Sequence, residues 1–239
     1  MRAIILAGGK GVRLVPVTEV IPKPLVPFGG KPIMELVIRQ LRRHGFSRIT
    51  LAVGYMADLI RAYFGDGNKF GVNIDYSYES EPLGTAGPLA LINGLDDTFL
   101  VMNADVLTDL NYKDLVNFHK TQGGIATLGA YQRQVTIDLG VIKTNGDYRV
   151  EGYLDKPTIS HLVSMGIYVF DPAILSYLRG NGYLDFPDLV NLLLKDGQQV
   201  SYLPHQGCWL DIGRHEDYAQ AVEEFEHLNR ELGLLRNDG

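Results

Sequence analysis

The chain has 239 residues, of which 46% are hydrophobic and 21% charged, so it can bury a sizeable core and is not globally disordered. Its formal net charge of −6 argues against a nucleic-acid partner, which would require a basic face. The single cysteine, Cys208, excludes an internal disulfide and indicates a reducing, cytoplasmic location. No apolar run reaches membrane-spanning length, so no membrane partner is expected.

Strands and helices alternate through the first half of the chain. The predicted elements, in chain order, are a strand over Ala3–Ala7, a helix over Pro32–Gly45, a strand over Ile49–Val53, a helix over Met56–Phe64, a strand over Asn73–Ser77, a short helix near Pro88–Ile92 and a strand over Phe99–Met102. This order predicts an α/β fold with a Rossmann-like, mostly parallel mixed sheet and helices on both faces.

The second half is richer in closely spaced strands. The predicted strands are Ile125–Tyr131, Leu139–Lys143, Tyr148–Leu154 and Leu162–Phe170, and the predicted helices are Pro172–Leu178, Phe186–Lys195 and Glu216–Leu232. We therefore expect an added β layer within one domain over residues 1–239, with a first half over 1–110 and a second half over 111–239.

The first predicted strand runs into a glycine-rich segment, Gly8 to Gly11, that is followed by Arg13. Glycines after a buried strand let the backbone approach a phosphate chain, and a guanidinium fits phosphate oxygens. A dinucleotide-binding fingerprint would place a glycine at Leu14, and a Walker loop would need Gly-Lys-Ser/Thr, so neither motif is present. A tight strand-to-helix turn remains the structural alternative for this loop.

Two prolines, Pro22 and Pro24, enclose Lys23. Proline fixes φ and reduces the freedom of the chain, so this lysine can be held toward one point. The basic residues are also concentrated here, because residues 1–48 contain nine Lys or Arg and only two acidic residues. The N-terminal segment is thus the part of the chain best suited to bind an anion.

Taken together, these motifs resemble the signature of sugar-1-phosphate nucleotidylyltransferases, most of all that of the mannose-1-phosphate guanylyltransferase branch. The resemblance rests on Leu6–Leu14 and Pro22–Leu25, followed in family order by Glu81–Gly87, Asn103–Asp105, Asp155–Pro157, Gly166–Tyr168 and Trp209–Gly213. Four positions depart from the usual family residues without removing a required charge, namely Val12, Asp155, Ser164 and Arg214.

The resemblance implies three groups of site residues. The nucleotide-binding group is Leu6, Ala7, Gly8, Gly9, Gly11, Val12, Arg13, Glu81, Pro82, Gly84 and Thr85, with Arg13 and Lys23 as the catalytic cations. The sugar-phosphate group is Gly140, Glu151, Lys156 and Tyr168. The partners it implies are a nucleoside triphosphate and a sugar 1-phosphate, and a homo-oligomer stays open.

Two aspartates are the candidate ligands for Mg²⁺. Asp105 follows the apolar run Phe99–Met102, so it should emerge at the carboxyl end of a parallel strand, where α/β sheets place ligands. Asp211 lies far away in sequence, and each residue alone could equally serve in a turn. Mg²⁺ prefers one or two carboxylates together with phosphate oxygens, and the resemblance implies that both aspartates bind it.

The residue before Pro82 points to guanine as the base. Relatives specific for uridine or thymidine often carry Gln there, whereas this chain has Glu81. A carboxylate can only accept hydrogen bonds, and guanine presents two neighbouring donors. Two alternatives remain: backbone groups read the base while Glu81 faces solvent, or the enzyme uses UTP or dTTP.

A protein of a different class could share these motifs, namely a non-catalytic subunit that senses nucleotide sugars. Such a subunit could keep the fold and lose the charges. The enzyme is the favoured hypothesis because the chain keeps Arg13, Lys23, Asp105, Lys156 and Asp211 together.

Overall fold

A computed structural model describes residues 1–178, 182–213 and 215–233 of the chain. Arg214 lies outside these ranges. The first half contains β1 (Arg2–Ala7), α1 (Val17–Val20), β2 (Pro27–Phe28), β3 (Lys31–Pro32), α2 (Ile33–Arg43), β4 (Arg48–Val53), α3 (Ala57–Phe64), β5 (Asn73–Tyr78), β6 (Phe99–Asn103) and β7 (Val106–Thr108). The second half contains α4 (Tyr112–Gln122), β8 (Ala126–Thr136), β9 (Val141–Thr144), β10 (Val150–Leu154), β11 (Thr158–Phe170), α5 (Leu175–Leu178), α6 (Phe186–Lys195), β12 (Val200–His205), β13 (Trp209–Asp211), α7 (His215–Glu223) and α8 (Phe225–Leu232).

Seven strands from both halves form the central sheet, in the order β12-β8-β11-β6-β1-β4-β5. Neighbouring strands are parallel except at β11, which runs antiparallel to both β6 and β8. The predicted α/β fold with a mostly parallel mixed sheet is therefore confirmed. The carboxyl ends of β1, β4, β5 and β6 meet at one edge of this sheet, which positions the site described below.

Alternate side chains of the central strands enter two separate cores, one on each face of the sheet. On β1, Ala3 and Ile5 belong to the core that includes α2 and α4, whereas Ile4 belongs to the core under α5 and α6. The same alternation continues on β6, where Met102 enters the first core and Val101 the second. Both faces are covered, which explains the continuous apolar runs of these strands.

Residues 132–163 extend beyond the central sheet, and we refer to them as the arm. Here the outer ends of β8 and β11 continue their antiparallel pairing, and β9 and β10 form a separate two-stranded hairpin. Large apolar side chains are exposed along it, namely Val135, Leu139, Ile142, Tyr148, Val150, Tyr153, Leu154, Ile159 and Leu162. The predicted added β layer is thus partly an extension of the central sheet and partly this hairpin.

Parts of the second half differ from the sequence prediction. Helix α4 and strand β12 were not predicted, because α4 is mostly polar and β12 is an edge strand that tolerates Pro204. The single helix predicted over Glu216–Leu232 is two helices that meet at Glu224. The ring of Phe225 packs edge-on against the ring of Phe28, with 5.0 Å between the ring centroids. This contact holds the second helix against the core.

Candidate nucleotide site

A cavity of about 860 Å³ opens at the carboxyl edge of the sheet. It is bounded by the segments that follow β1, β4, β5 and β6, and by three short segments from other parts of the chain. The predicted residues that line it are Leu6, Ala7, Gly8, Gly9, Gly11, Val12, Arg13, Lys23, Glu81, Pro82, Gly84, Thr85, Asp105 and Asp211. The structure thus brings the predicted nucleotide, catalytic and metal residues to one place.

The glycine-rich segment after β1 turns sharply at Gly11, whose φ is +66°. A Cβ atom there would lie 2.9 Å from Cγ2 of Thr18, so the position requires glycine. The Gly11 carbonyl accepts hydrogen bonds from the Leu14 amide at 2.9 Å and from the Thr18 hydroxyl at 2.8 Å. These contacts fix a short 3-10 turn in which Leu14 is buried and Arg13 stays exposed beside the cavity.

Strand pairing brings the two distant aspartates together. Strand β13 runs antiparallel to β7, with Asp211 opposite Val106, which is the residue after Asp105. The Ile212 amide also donates to the Asp105 carbonyl at 3.1 Å. The two carboxylates interact directly as a result, although 105 residues separate them in the sequence.

Lys23 and Arg13, the two predicted catalytic cations, both approach this acidic pair. The Lys23 ammonium donates to a carboxylate oxygen of Asp105, and both side chains are largely buried. A Cβ atom added to Gly213 would lie 3.4 Å from the Lys23 ammonium, 3.4 Å from an Arg13 nitrogen and 2.9 Å from an Asp211 oxygen. The absence of a side chain at Gly213 therefore keeps the space between these charges open.

The electrostatics of the acidic pair suit a bound cation. Burial and the neighbouring Asp105 raise the pKa of Asp211 to about 6, against the opposing influence of Lys23 and Arg13. A divalent cation between two carboxylates would favour their charged forms, and two carboxylates with phosphate oxygens suit such an ion. Within the described ranges no cluster of three or more His, Cys, Asp or Glu could hold a metal by itself. The residues present therefore fit a metal that is shared with a phosphate ligand.

The opposite end of the cavity contains a carboxylate that the sequence analysis missed, that of Glu79. A Cβ atom added to Gly8 would lie 1.8 Å from an oxygen of Glu79, and one added to Gly54 would lie 2.8 Å from it. The Glu79 side chain therefore packs directly on the backbone of both glycines. It accepts a hydrogen bond from the Leu83 amide at 3.3 Å, and burial raises the pKa of Glu79. By contrast, Glu81 is exposed at the rim. Glu79 immediately follows β5, the same signal that identified Asp105.

The structure does not bring the predicted sugar-phosphate residues into this cavity. Gly140, Glu151 and Lys156 lie on the arm, where Lys156 is 60% exposed and pairs with Asp138 at 2.5 Å. Tyr168 lies on β11, buried in the core beneath α6, and its hydroxyl accepts a hydrogen bond from Ser164 at 3.1 Å. Among the described residues, none of these four lines the cavity.

The geometry of the site can now be set beside known proteins. The profile of the nucleotidyl transferase family matches residues 2–227. The chain belongs to the nucleotidyl transferase family. The family match covers every segment that lines the cavity, including the glycine-rich segment, Lys23 and the paired aspartates.

Several curated nucleotidyl transferases are similar to the chain over most of its length. A UTP–glucose-1-phosphate uridylyltransferase of Synechocystis sp. is 35% identical over the whole chain, which spans 66% of that relative. A mannose-1-phosphate guanylyltransferase catalytic subunit beta of Danio rerio is 35% identical over 99% of the chain, which spans 70% of it. A mannose-1-phosphate guanyltransferase of Neurospora crassa is 36% identical over 91% of the chain, which spans 62% of it. The chain thus spans about two thirds of the length of these nucleotidyl transferases.

Solved structures agree on the fold. A protein of Bacillus anthracis described as a glucose-1-phosphate thymidylyltransferase matches the whole chain and 97% of its own, with a TM-score of 0.76 and 27% identity. HddC from Yersinia pseudotuberculosis, complexed with GMP-PN, matches 94% of the chain and 99% of its own, with a TM-score of 0.70 and 27% identity. The Rossmann-like nucleotidyl transferase fold is confirmed. None of the helices in residues 1–178, 182–213 and 215–233 has the length and hydrophobicity to cross a bilayer.

Proposed function

We propose that the protein is a sugar-1-phosphate nucleotidylyltransferase. A phosphate oxygen of the sugar 1-phosphate attacks the α-phosphorus of the nucleoside triphosphate, and the bond from that phosphorus to the departing pyrophosphate breaks. The observation that carries the proposal is the cavity itself, because two cations and two carboxylates meet at one end and an inward carboxylate lies at the other. The nucleophile is already an anion, so catalysis requires positioning and charge neutralisation more than a base.

Each charged residue at the first end has a proposed role. Arg13 binds the departing pyrophosphate, since its guanidinium remains exposed beside the glycine-rich turn. Lys23 neutralises the α-phosphate during attack. Asp105 and Asp211 would hold Mg²⁺, which when bound screens the repulsion between the two anionic substrates.

We propose guanine as the base. Relatives that carry the word guanylyltransferase or guanyltransferase in their names support this choice, as does the related structure that contains GMP-PN. Glu79 is the better placed acceptor for the two guanine donors, because it is half-buried over Gly8 and Gly54. Glu81 remains the alternative reader at the rim. UTP is the second candidate substrate, since the Synechocystis relative is a uridylyltransferase.

The sugar end involves the second half of the chain. Gly140, Glu151, Lys156 and Tyr168 are the proposed sugar-phosphate residues, and residues 1–239 act as one catalytic domain whose two halves bind the two substrates. A hexose 1-phosphate is the proposed acceptor. The protein is proposed to work in the cytoplasm, and its exposed apolar arm supports self-association.

Pyrophosphate release tests the reaction. The protein is incubated with Mg²⁺ and every pairing of GTP, UTP, dTTP, CTP and ATP with mannose, glucose and galactose 1-phosphates. We expect pyrophosphate and a nucleotide sugar from one pairing above all, with GTP as the nucleotide. Binding of a nucleotide sugar without turnover of any pair would instead identify a non-catalytic sensor.

Paired substitutions identify the base reader. Glu79→Gln removes a charge while retaining shape, so it should reduce the preference for GTP over UTP by about tenfold, while Glu81→Gln leaves it within about twofold. The preference is measured by competition at equal nucleotide concentrations. The reverse result would assign the base to Glu81, and an unchanged preference in both variants would assign it to backbone groups.

A further inference from the structure

The base end of the cavity is built from two segments that lie far apart in sequence. Segment Leu83–Gly87, from the first half, packs against segment Gly182–Phe186, which leads into α6. The amides of Ala86 and Gly87 both donate to the Leu184 carbonyl, at 2.9 and 3.1 Å. The second half of the chain therefore supports the loop that the base contacts.

The two backbones approach more closely than a side chain would allow. Gly84 has a φ of +78°, and a Cβ atom there would lie 2.5 Å from the Leu184 carbonyl oxygen. Both the positive φ and this close approach to Leu184 require glycine at position 84. The loop is consequently shaped by its contact with Gly182–Phe186 and by its own sequence together.

A reciprocal exchange of hydrogen bonds locks this contact. Asp185 is the N-cap residue, immediately before α6, yet its carboxylate accepts no capping hydrogen bond from the helix backbone. One of its oxygens instead accepts from the Thr85 amide at 2.9 Å and from the Thr85 hydroxyl at 3.0 Å. In return, the Thr85 hydroxyl oxygen accepts from the Phe186 amide at 2.9 Å. An aspartate in this position usually caps its own helix. The Asp185 carboxylate instead binds Thr85, so it joins the loop to the start of α6.

The other carboxylate oxygen of Asp185 accepts a hydrogen bond from the Tyr183 hydroxyl at 2.8 Å. Burial alone would raise the pKa of Asp185, but the bonds from Tyr183 and Thr85 outweigh it and lower the pKa. Tyr183, Asp185 and Thr85 all line the cavity. The charged carboxylate thus sits at the junction of the loop, the helix and the cavity wall.

We propose that Asp185 is a positioning residue for nucleobase binding: it holds Thr85 and the loop around it in the conformation that receives the base. The inference rests on the proposed function, since it assumes that a nucleotide occupies this cavity. It assigns part of the base affinity to the second half of the chain. A purely structural role would weaken all ligands of the cavity alike, whereas positioning of the base loop weakens only ligands that carry a base.

Calorimetry with two ligands separates these roles. In the presence of Mg²⁺, the dissociation constants of GTP and of inorganic tripolyphosphate, which lacks base and ribose, are measured for each variant. Asp185→Ala should weaken GTP binding about tenfold, as the loss of a charged hydrogen-bond acceptor predicts, and change tripolyphosphate binding less than about twofold. Asp185→Asn should lose less GTP affinity than Asp185→Ala, because the amide oxygen of Asn can still accept hydrogen bonds from Thr85.

Asp171 offers a matched control. It begins a short 3-10 turn, Pro172–Ile174, and accepts the Ala173 amide at 2.9 Å, outside the cavity. Asp171→Ala should leave the ratio of the two dissociation constants unchanged. An unchanged ratio in Asp185→Ala, an equal loss of both ligands, or the same effect in Asp171→Ala would overturn the inference while leaving the proposed function in place. A wild-type protein that binds tripolyphosphate and no nucleoside triphosphate would overturn both.

Discussion

Arg13 and Lys23 differ in how the fold holds them, although both are cations at the same end of the cavity. Lys23 is 17% exposed and ion-paired with Asp105, which is 8% exposed, so its ammonium is fixed. The Arg13 side chain is exposed beside the cavity, and its charge acts on Asp211 from that position. A buried, fixed charge suits the role proposed for Lys23 at the α-phosphate, and an exposed guanidinium suits the role proposed for Arg13 at the pyrophosphate.

Substitution of either cation should abolish most turnover. We expect Arg13→Ala and Lys23→Ala each to lower kcat by about 100- to 1,000-fold, because each removes a charge that stabilises the transition state. Steady-state pyrophosphate release measures the effect, and thermal denaturation checks the fold. Arg48→Ala is the control, since Arg48 is exposed, does not line the cavity and pairs with Asp75 at 3.4 Å. A near wild-type kcat for either variant would remove that residue from the mechanism.

Substitution of Asp211 should reduce activity without reducing thermal stability. Asp211→Asn removes the repulsion between two neighbouring carboxylates, so in the absence of divalent metal it should keep or raise the melting temperature. With Mg²⁺ present it should lose at least about 100-fold in activity, because an amide brings no charge to the metal. Asp105→Asn should lose activity as well, and it also leaves Lys23 without its charged partner. Full wild-type activity in excess EDTA would contradict a metal role for both residues.

At the scale of elements, helix α2 depends on a charged group on its buried face. Glu35 is 4% exposed, and its two oxygens accept hydrogen bonds from Lys31 at 3.0 Å, Arg39 at 2.9 Å and the Tyr63 hydroxyl at 2.6 Å. This network joins α2 to α3. Burial would raise the pKa of Glu35, but the three hydrogen bonds outweigh it and hold the pKa below its usual value.

The Glu35 network should make stability depend on pH. A carboxylate whose pKa is lowered by folding contributes stability above its unfolded pKa, about 4.3, and loses that contribution as pH falls through its folded pKa. Glu35→Gln should therefore reduce the free energy of unfolding by about 1–3 kcal/mol at pH 7, with a smaller difference at pH 3. Urea denaturation of the wild type and the variant at both pH values measures this difference in the free energy of unfolding. Glu223→Gln, at an exposed position of α7, should show neither effect, and a pH-independent difference would contradict the network's role.

At the scale of the whole molecule, no residue of the arm, all of which lies within the described ranges, lines the nucleotide cavity. Gly140 is packed against the Tyr153 hydroxyl within the hairpin region, and Lys156 has a φ of +43°, an uncommon conformation for a residue other than glycine. Lys156 pairs with Asp138 on the arm and lies outside the lining of the cavity, so the proposed sugar-phosphate contact is separate from the proposed nucleotide contacts.

Lys156 should affect one substrate only. We expect Lys156→Ala to raise the KM for the sugar 1-phosphate about tenfold and to leave the dissociation constant of the triphosphate unchanged, because the nucleotide site is complete without the arm. Kinetics with varied sugar phosphate and calorimetry with GTP measure the two quantities. Lys143→Ala, at an exposed position of the same arm, is the control. A collapse of GTP affinity would show that Lys156 belongs to the nucleotide site.

Local signals were sufficient for the four first-half strands of the central sheet, β1, β4, β5 and β6. Strand β1 is apolar from Ala3 to Ala7 and is followed by glycines, so both its burial and the tight turn at Gly11 follow from residue types. Helix α4 escaped prediction because most of its residues are polar, although its buried residues have the helical spacing i, i+3, i+4 and i+7. Strand β12 escaped because it is an edge strand whose stability comes from pairing with β8, which local pattern does not encode. Glu79 was overlooked although it directly follows β5, and only the order of the strands in the sheet shows that the end of β5 lies beside the ends of β4 and β1.

The sequence by itself determined the α/β class, the glycine-rich turn and the proline-framed lysine, because each depends on local backbone preference or on the pattern of apolar segments. The family resemblance, rather than local pattern, singled out the two aspartates. Only the tertiary structure decided which of these groups meet. Asp211 reaches Asp105 through the pairing of β13 with β7, and Asp185 reaches Thr85 across 100 residues. Such contacts depend on strand register and on which segments pack together, and these are set by the whole sheet rather than by neighbours in the chain.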